Sequence, residues 1–218
     1  PIMKKLTFPL LLISVFLSSE AFSYDNIKKD KKTIINSIES QKDRLIEISD
    51  NIWEAAEPAL LEFKSSKYLS DYAEENGFRV TRGVAEIPTA FVAEFGSGKP
   101  VIGILGEFDA NPGISQKKQP TKEPLVKGAA GHGCGHNLYG TGSLGAAIAI
   151  KEMIESGEIS GTIRFYGTPA EETIFAKVWM VRAGLFDDVD VCMDWHPSDE
   201  VEAATQSSKA LVDFRLRF

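Results

Sequence analysis

Soft metal ligands are scarce in this sequence, which holds three histidines and two cysteines in 218 residues. Two cysteines close at most one bridge, so a disulfide-stapled scaffold is excluded. Basic charge is also short, with 24 Lys and Arg against 31 Asp and Glu and a formal net charge of −7. A nucleic-acid surface needs clustered Lys and Arg, and the one basic cluster, Lys28 to Lys32, is interrupted by Asp30. It reads as the solvated face of a helix. After the first two dozen residues no apolar run is long enough for a bilayer span, and no internal repeat is found. Against these absences stands an ordered, globular composition, 43% hydrophobic and 25% charged, long enough for one substantial domain or one domain and part of a second.

The N-terminus reads as an address. Met3-Lys4-Lys5 gives a short basic start, Leu6 to Leu17 is apolar, and Ala21-Phe22-Ser23 supplies the small residues of a cleavage site. The apolar run falls short of the roughly 20 residues a span requires. Residues 1–23 are therefore expected to be a secretory signal, leaving an exported chain, periplasmic or secreted, with no stable membrane span after cleavage.

Helical spacing of Ile34, Ile38, Leu45, Ile48 and Ile52 predicts one long amphipathic helix from Ile27 to about Ala56. A second helix is predicted over Lys64 to Glu75, stopped by Asn76-Gly77. Strands are expected at Phe78 to Thr81, Thr89 to Phe95 and Val101 to Gly106, the last apolar on both faces like a strand inside a sheet. Residues 110–133 form a loop too long for a mere connector. A small-residue helix over Leu138 to Glu155 follows, then a strand at Thr162 to Tyr166, a helix from about Thr173 to Ala183, and a strand from Val189 to Trp195. The alternation predicts an α/β fold, a largely parallel sheet flanked by helices. A last strand-like segment, Lys209 to Phe218, ends the chain.

Ligands of open α/β sheets gather at the carboxyl ends of strands. Asp109, Glu171-Glu172 and His196 each follow a separate predicted strand, and the long loop ends in GHGCGHN, residues 131–137. Cys134 and His136, with only Gly135 between them, can converge on one point; thiolate plus imidazole suits Zn²⁺ or a similar ion. The helix start beyond them is expected to favour the thiolate. Neighbouring carboxylates at a helix start point about 100° apart, so one can bind an ion while the other takes a proton from water acidified by it. Singly, each feature has a bland meaning: a tight turn, a solvated helix start, a packed histidine. Their coincidence at strand ends predicts metal-assisted amide hydrolysis. His132 is read as a supporting partner of a ligand and Cys192 as a packed core thiol. The main rival for Cys134 is a disulfide to Cys192; a Cys/His thiol hydrolase is a further one.

GEFDANPG, GHGCGHNLYGTGSLGAA, GTIRFYGTPAEE, MVRAGLFDDVD and DWHP, in that order, resemble the aminoacylase/carboxypeptidase-type zinc metallopeptidases, in the amidohydrolase branch of the aminobenzoyl-glutamate utilization proteins. The resemblance runs from about Lys64 to Phe218. It implies a zinc-exopeptidase-like catalytic domain, with Cys134, His136, Glu172 and His196 as metal ligands, Glu171 as general base, and Asp109 as the acidic residue that orients a ligand. Glu107 stands where many relatives have a histidine. The implied cofactor is one or two Zn²⁺ ions, with Mn²⁺, Co²⁺ or Ni²⁺ as alternatives, and the implied substrates are small N-acyl amino acids or peptides. Relatives continue through a dimerising lid domain to a further metal-binding histidine. On that pattern, residues 24–206 are the N-terminal part of the catalytic domain and 207–218 the start of a lid, and the chain alone is expected to be a poorly active, truncated form or a metal- or partner-binding fragment; homodimers are implied for full-length relatives.

Overall fold

The computed structural model describes residues 26–201 and Arg217. The leader expected over residues 1–23 and, apart from Arg217, the strand expected over 209–218 lie outside the described residues. Among those described, no helix is long and apolar enough to cross a membrane.

The single long helix expected at the start is two. Residues 26–40 (α1) and Lys42–Ala55 (α2) are separated at Gln41, whose side-chain amide donates back to the Ser37 carbonyl at 3.3 Å while its Oε1 accepts from the Tyr72 hydroxyl at 2.9 Å. Helix α3 spans Phe63–Glu75 and ends at the expected signal, with Gly77 at φ +85°. Strand β1 (Arg79–Arg82), a 3₁₀ turn (Val84–Glu86), β2 (Phe91–Ser97) and β3 (Val101–Gly106) follow. After the long loop come α4 (His136–Glu155), β4 (Gly161–Gly167), α5 (Glu171–Ile174), α6 (Ala176–Arg182) and β5 (Val191–Met193). The expected helix over 173–183 is thus broken, at Phe175, which takes a left-handed φ of 54°.

The five strands lie in the order β1-β2-β4-β3-β5. The expected α/β class is observed, and its parallel part is β4-β3-β5. The sheet as a whole is mixed, because β1 and β2 add on antiparallel. The three residues 98–100 that join β2 to β3 are too few for a parallel crossover, which needs a dozen or more. Strand β2 must therefore run against β3, and β4 enters between them.

Alternation along the strands divides the core in two. Phe91, Ala93, Ile104, Ile163 and Phe165 pack with Ile48 and Ile52 of α2, Leu69 of α3, and Leu144 and Ile148 of α4. Tyr166 points the other way, to Ala176 and Met180 of α6. The parallel register pairs Gly106 with Gly167 and Ile104 with Met193. Residues following β3, β4 and β5 consequently emerge at one edge. Cys192 does not sit in a packed core as expected. Strand β5 is an edge strand of the described sheet, and Val191, Cys192 and Met193 are all exposed.

Close backbone approach fixes α4 over the end of β3. A Cβ built on Gly140 would lie 2.5 Å from the Glu107 carbonyl oxygen and 3.1 Å from Leu69 Cδ1. Replacing a helix-interior glycine by alanine ordinarily gains about 1 kcal/mol. Here a backbone oxygen obstructs, and overpacking costs of about 1–3 kcal/mol should prevail. Gly140→Ala is expected to lower the thermal midpoint by about 2–4 °C per kcal/mol lost; a midpoint at or above wild type would contradict the packing.

Glu62, at the start of α3, is wholly buried. Burial first, and the Asp109 charge in addition, push its carboxyl up from 4.5 to about 7. The folded chain then holds this proton more tightly than the unfolded chain, so stability is lost as pH rises between those two values. Glu62→Gln cannot ionise and should gain stability relative to wild type on going from about pH 4.5 to about pH 7.5 in denaturant titrations. Parallel pH profiles for the two proteins would refute it.

Candidate metal centre

The long loop is not slack. Asn111 and Gly131 exchange backbone hydrogen bonds at 3.0 and 3.1 Å, and the Asn111 side-chain oxygen accepts from the amides of Gly133 and Cys134, both at 3.1 Å. Asn111 therefore sets the backbone on which Cys134 is carried. Gly135 then turns with φ +80°, where a Cβ would meet Pro197 Cγ at 2.9 Å, so both conformation and space call for glycine. Helix α4 begins two residues earlier than expected, which places His136 in its first turn.

His136 is completely buried. Its Nδ1 lies 3.0 Å from Asp109 Oδ1 and 3.0 Å from the Asp109 carbonyl oxygen, while Asp109 Oδ2 accepts from the Glu172 amide at 2.9 Å. One carboxylate thus links the residues after β3, the start of α4 and the start of α5. With Nδ1 donating to Asp109, Nε2 is the ring nitrogen available to an ion, which would take the place of the proton held there in the metal-free chain. Nε2 has no hydrogen-bond partner, and neither has the buried Oε1 of Glu172, which is 3.8 Å away. Glu107 Oε2 lies 2.9 Å from Nε2 without hydrogen-bond alignment.

Ligand atoms of Cys134, His136 and His196 all lie within 4.8 Å of one another. Both cysteines are free thiols, which removes the Cys134–Cys192 bridge as a rival. His196, beyond β5, is exposed; its ring centroid is 5.5 Å from that of His136, nearly perpendicular to it. Tyr139 lies against both rings and donates to Asp194, while Trp195 Nε1 donates to Ser143 at 2.9 Å, so α4 holds the segment that carries His196.

A second group, Glu107, His136 and Glu171, is equally compact. Sequence reasoning passed over Glu107 as a site residue, although it is the first residue past the buried strand β3; its Oε1 is ion-paired with Lys177. Asn111 was also missed, since an asparagine in a polar loop carries no distinguishing signal. His132 was expected to support a ligand. Its Nε2 instead donates to the Ile52 carbonyl at 3.1 Å, tying the loop to α2, and burial pulls its pKa down to about 4.

The electrostatics are those of a site short of positive charge. Burial, then Glu172 and Glu171, push the Cys134 thiol up to about 11, so the thiolate expected from the helix start is not favoured in the metal-free chain. For His136, burial disfavours the charged form, but Asp109 and Glu107 overcome it and raise the ring to about 10. Burial and then the Glu107 charge raise Glu171 above the usual carboxylate range. A divalent cation would answer both the crowded negative charge and the two unpartnered buried atoms, and a thiol with imidazoles and a carboxylate is a donor set for Zn²⁺ or a neighbouring ion. The residues fit such an ion.

Fold and site together define an α/β metallohydrolase-type domain. The family model for Peptidase family M20/M25/M40 matches residues 103–210, and the chain belongs to that family. Over 167 residues it is 49% identical to a p-aminobenzoyl-glutamate hydrolase subunit of Escherichia coli (strain K12), a match spanning 75% of this chain and 34% of that protein. It is 30% identical to the mouse Xaa-Arg dipeptidase over 182 residues, 78% of this chain and 38% of the relative. The Bacillus subtilis YXEP protein, described as a dinuclear metal binding peptidase from the M20 family, superposes with a TM-score of 0.61 at 27% identity, covering 71% of this chain and 42% of that one. The chain therefore spans between about a third and two fifths of the length of these relatives.

Asp109→Ala should free the His136 ring and the Glu172 amide together. The expected outcome is a fall in Zn²⁺ affinity of about 10- to 100-fold, measured by competition with a chromophoric chelator. Unchanged affinity would contradict the bridging role.

Proposed function

We propose that this chain is part of a metal-dependent hydrolase that cleaves the amide bond of N-acyl or N-aroyl amino acids or small peptides, with aminobenzoyl-glutamate-like compounds as the substrate class. The observation that carries it is the pair of buried, unpartnered ligand atoms, His136 Nε2 and Glu172 Oε1, beside a raised carboxyl on Glu171. Similarity to the Escherichia coli p-aminobenzoyl-glutamate hydrolase supports the substrate class. Cys134, His136, Glu172 and His196 would hold the ion; Zn²⁺ suits this donor set, and Mn²⁺, Co²⁺ or Ni²⁺ are alternatives. When bound, one or two such ions supply Lewis acidity toward a carbonyl oxygen and acidify water.

The chain's own residues account for the proton's path. Glu171 sits beside the ligand group, and its raised proton affinity suits a general base that takes a proton from attacking water and returns it to the leaving amine. Asp109 holds a proton on His136 Nδ1, so that Nε2 is the nitrogen whose proton a bound ion would displace. Glu107 places a further negative charge by Glu171, with Lys177 partly balancing it. Residues 24–206 are read as catalytic-domain sequence, 207–218 as the start of a lid, and 1–23 as an export signal, on the motifs given above.

A second reading, a chain that binds metal without turnover, is favoured by the exposure of His196, of Val191 and Met193 in β5 and of Trp195 just beyond it. One experiment separates the two. The chain is loaded with Zn²⁺, its metal content determined, and p-aminobenzoyl-glutamate cleavage followed chromatographically for wild type and Glu171→Gln. The proposal predicts chelator-sensitive turnover that falls about 10²- to 10⁴-fold in the variant with metal content retained. Bound metal with no turnover in either protein would favour the second reading, and absence of bound metal would refute both.

A further inference from the structure

The turn that carries Glu171 and Glu172 has a strained backbone and two amides that no helix bond can satisfy. Ala170, immediately before α5, has a left-handed φ of 57° and ψ of 35°, a conformation that costs an alanine free energy and persists only where surroundings enforce it. The first amides of a helix need partners from outside it. Two carboxylates supply them. Asp109 Oδ2 accepts from Glu172 N at 2.9 Å, and Glu62 Oε1 accepts from Ala170 N at 2.9 Å. Ala170 and Glu62 are both fully buried.

Glu62 is itself held from the far side. Its Oε2 accepts from the Thr89 hydroxyl at 3.1 Å, and its own backbone is fixed at the start of α3, where its carbonyl accepts from Ser66 N at 2.9 Å. A rigid line therefore runs from α3 through the Glu62 side chain to the residue before Glu171. Charged or not, one Glu62 oxygen can accept from Ala170 N; a neutral side chain would turn its proton toward Thr89. Burying a carboxyl with no solvent contact is costly, and no cation among the described residues is recorded against it, so a stabilising ion pair does not explain its presence.

We propose that Glu62 is a positioning residue that clamps the Ala170 amide and thereby fixes the directions in which Glu171 and Glu172 leave the turn. This rests on the functional reading above for its consequence, and on geometry alone for the clamp. Sequence gives no hint of it, since Glu62 and Ala170 are 108 positions apart. The acid also sits among apolar neighbours where a solvated helix start would be the ordinary reading.

The test compares wild type with Glu62→Leu, Glu62→Asp and Glu62→Gln. Leucine removes the acceptor, aspartate withdraws it by one methylene, and glutamine keeps an oxygen for Ala170 while its NH₂ can face Thr89. Hydrogen exchange of the metal-free chain over residues 168–175 reads the clamp, with residues 101–106 as the global control. Leucine and aspartate are expected to speed exchange in the turn about tenfold or more with the control unchanged, and to weaken Co²⁺ binding about 10-fold or more. Glutamine should stay within about threefold of wild type on both. If leucine prevents folding, aspartate decides. Wild-type exchange and Co²⁺ affinity in the aspartate variant would overturn the clamp, as would a glutamine variant as impaired as leucine. Failure of the wild-type chain to bind Co²⁺ would refute the metal centre instead, with the exchange data still reporting on Ala170.

Discussion

The centre of this molecule depends on what one buried carboxylate can reach. Asp109 spends one oxygen on His136 Nδ1 and the other on the Glu172 amide, and both contacts exist because β3 and β4 run parallel, in register, to a common edge. A carboxylate at the end of β3 can span to the beginning of α4 and to the beginning of α5 only if those strand ends are level. Mixed pairing on the β2 side leaves this edge untouched. The antiparallel β1 and β2 widen the sheet on which α2, α3 and α4 pack, and the parallel strands deliver the chemistry.

Much of this was legible in the sequence because the signals were local. The apolar run VIGILG is β3 residue for residue, and Asn76-Gly77 ends α3 as a cap pair should. Rarity helped as well: with so few histidines and cysteines, their clustering at strand ends was informative. What stayed hidden depended on contacts distant in the chain. The break at Gln41 is tied to Tyr72, and the left-handed Phe175 interrupts an apparently continuous helical pattern. Cys192 alternated like a core residue, yet β5 lies at the edge of the described sheet, and edge position is a tertiary property. Glu107 and Asn111 look ordinary in sequence; their importance comes from the fold that brings them beside His136 and Cys134.

Charge gives the site its direction. Five acidic or thiol groups, Glu107, Asp109, Cys134, Glu171 and Glu172, meet around His136, with Lys177 the cation recorded nearby. Burial first, and this crowding in addition, raise the proton affinity of Cys134 and Glu171. Membership of Peptidase family M20/M25/M40 is consistent with a cation as the missing counter-charge. The adjacent carboxylates join two overlapping groups around His136: Glu172 has a buried oxygen 3.8 Å from Nε2, and Glu171 belongs with Glu107 and His136 to the second compact group.

The most direct measurement is the electronic absorption spectrum of the chain titrated with Co²⁺. Convergence of Cys134, His136, Glu172 and His196 on one ion predicts a saturable cobalt–thiolate charge-transfer band that disappears in Cys134→Ser and keeps its position in Cys192→Ser. A titration with no such band, or a band that survives loss of Cys134, would contradict it.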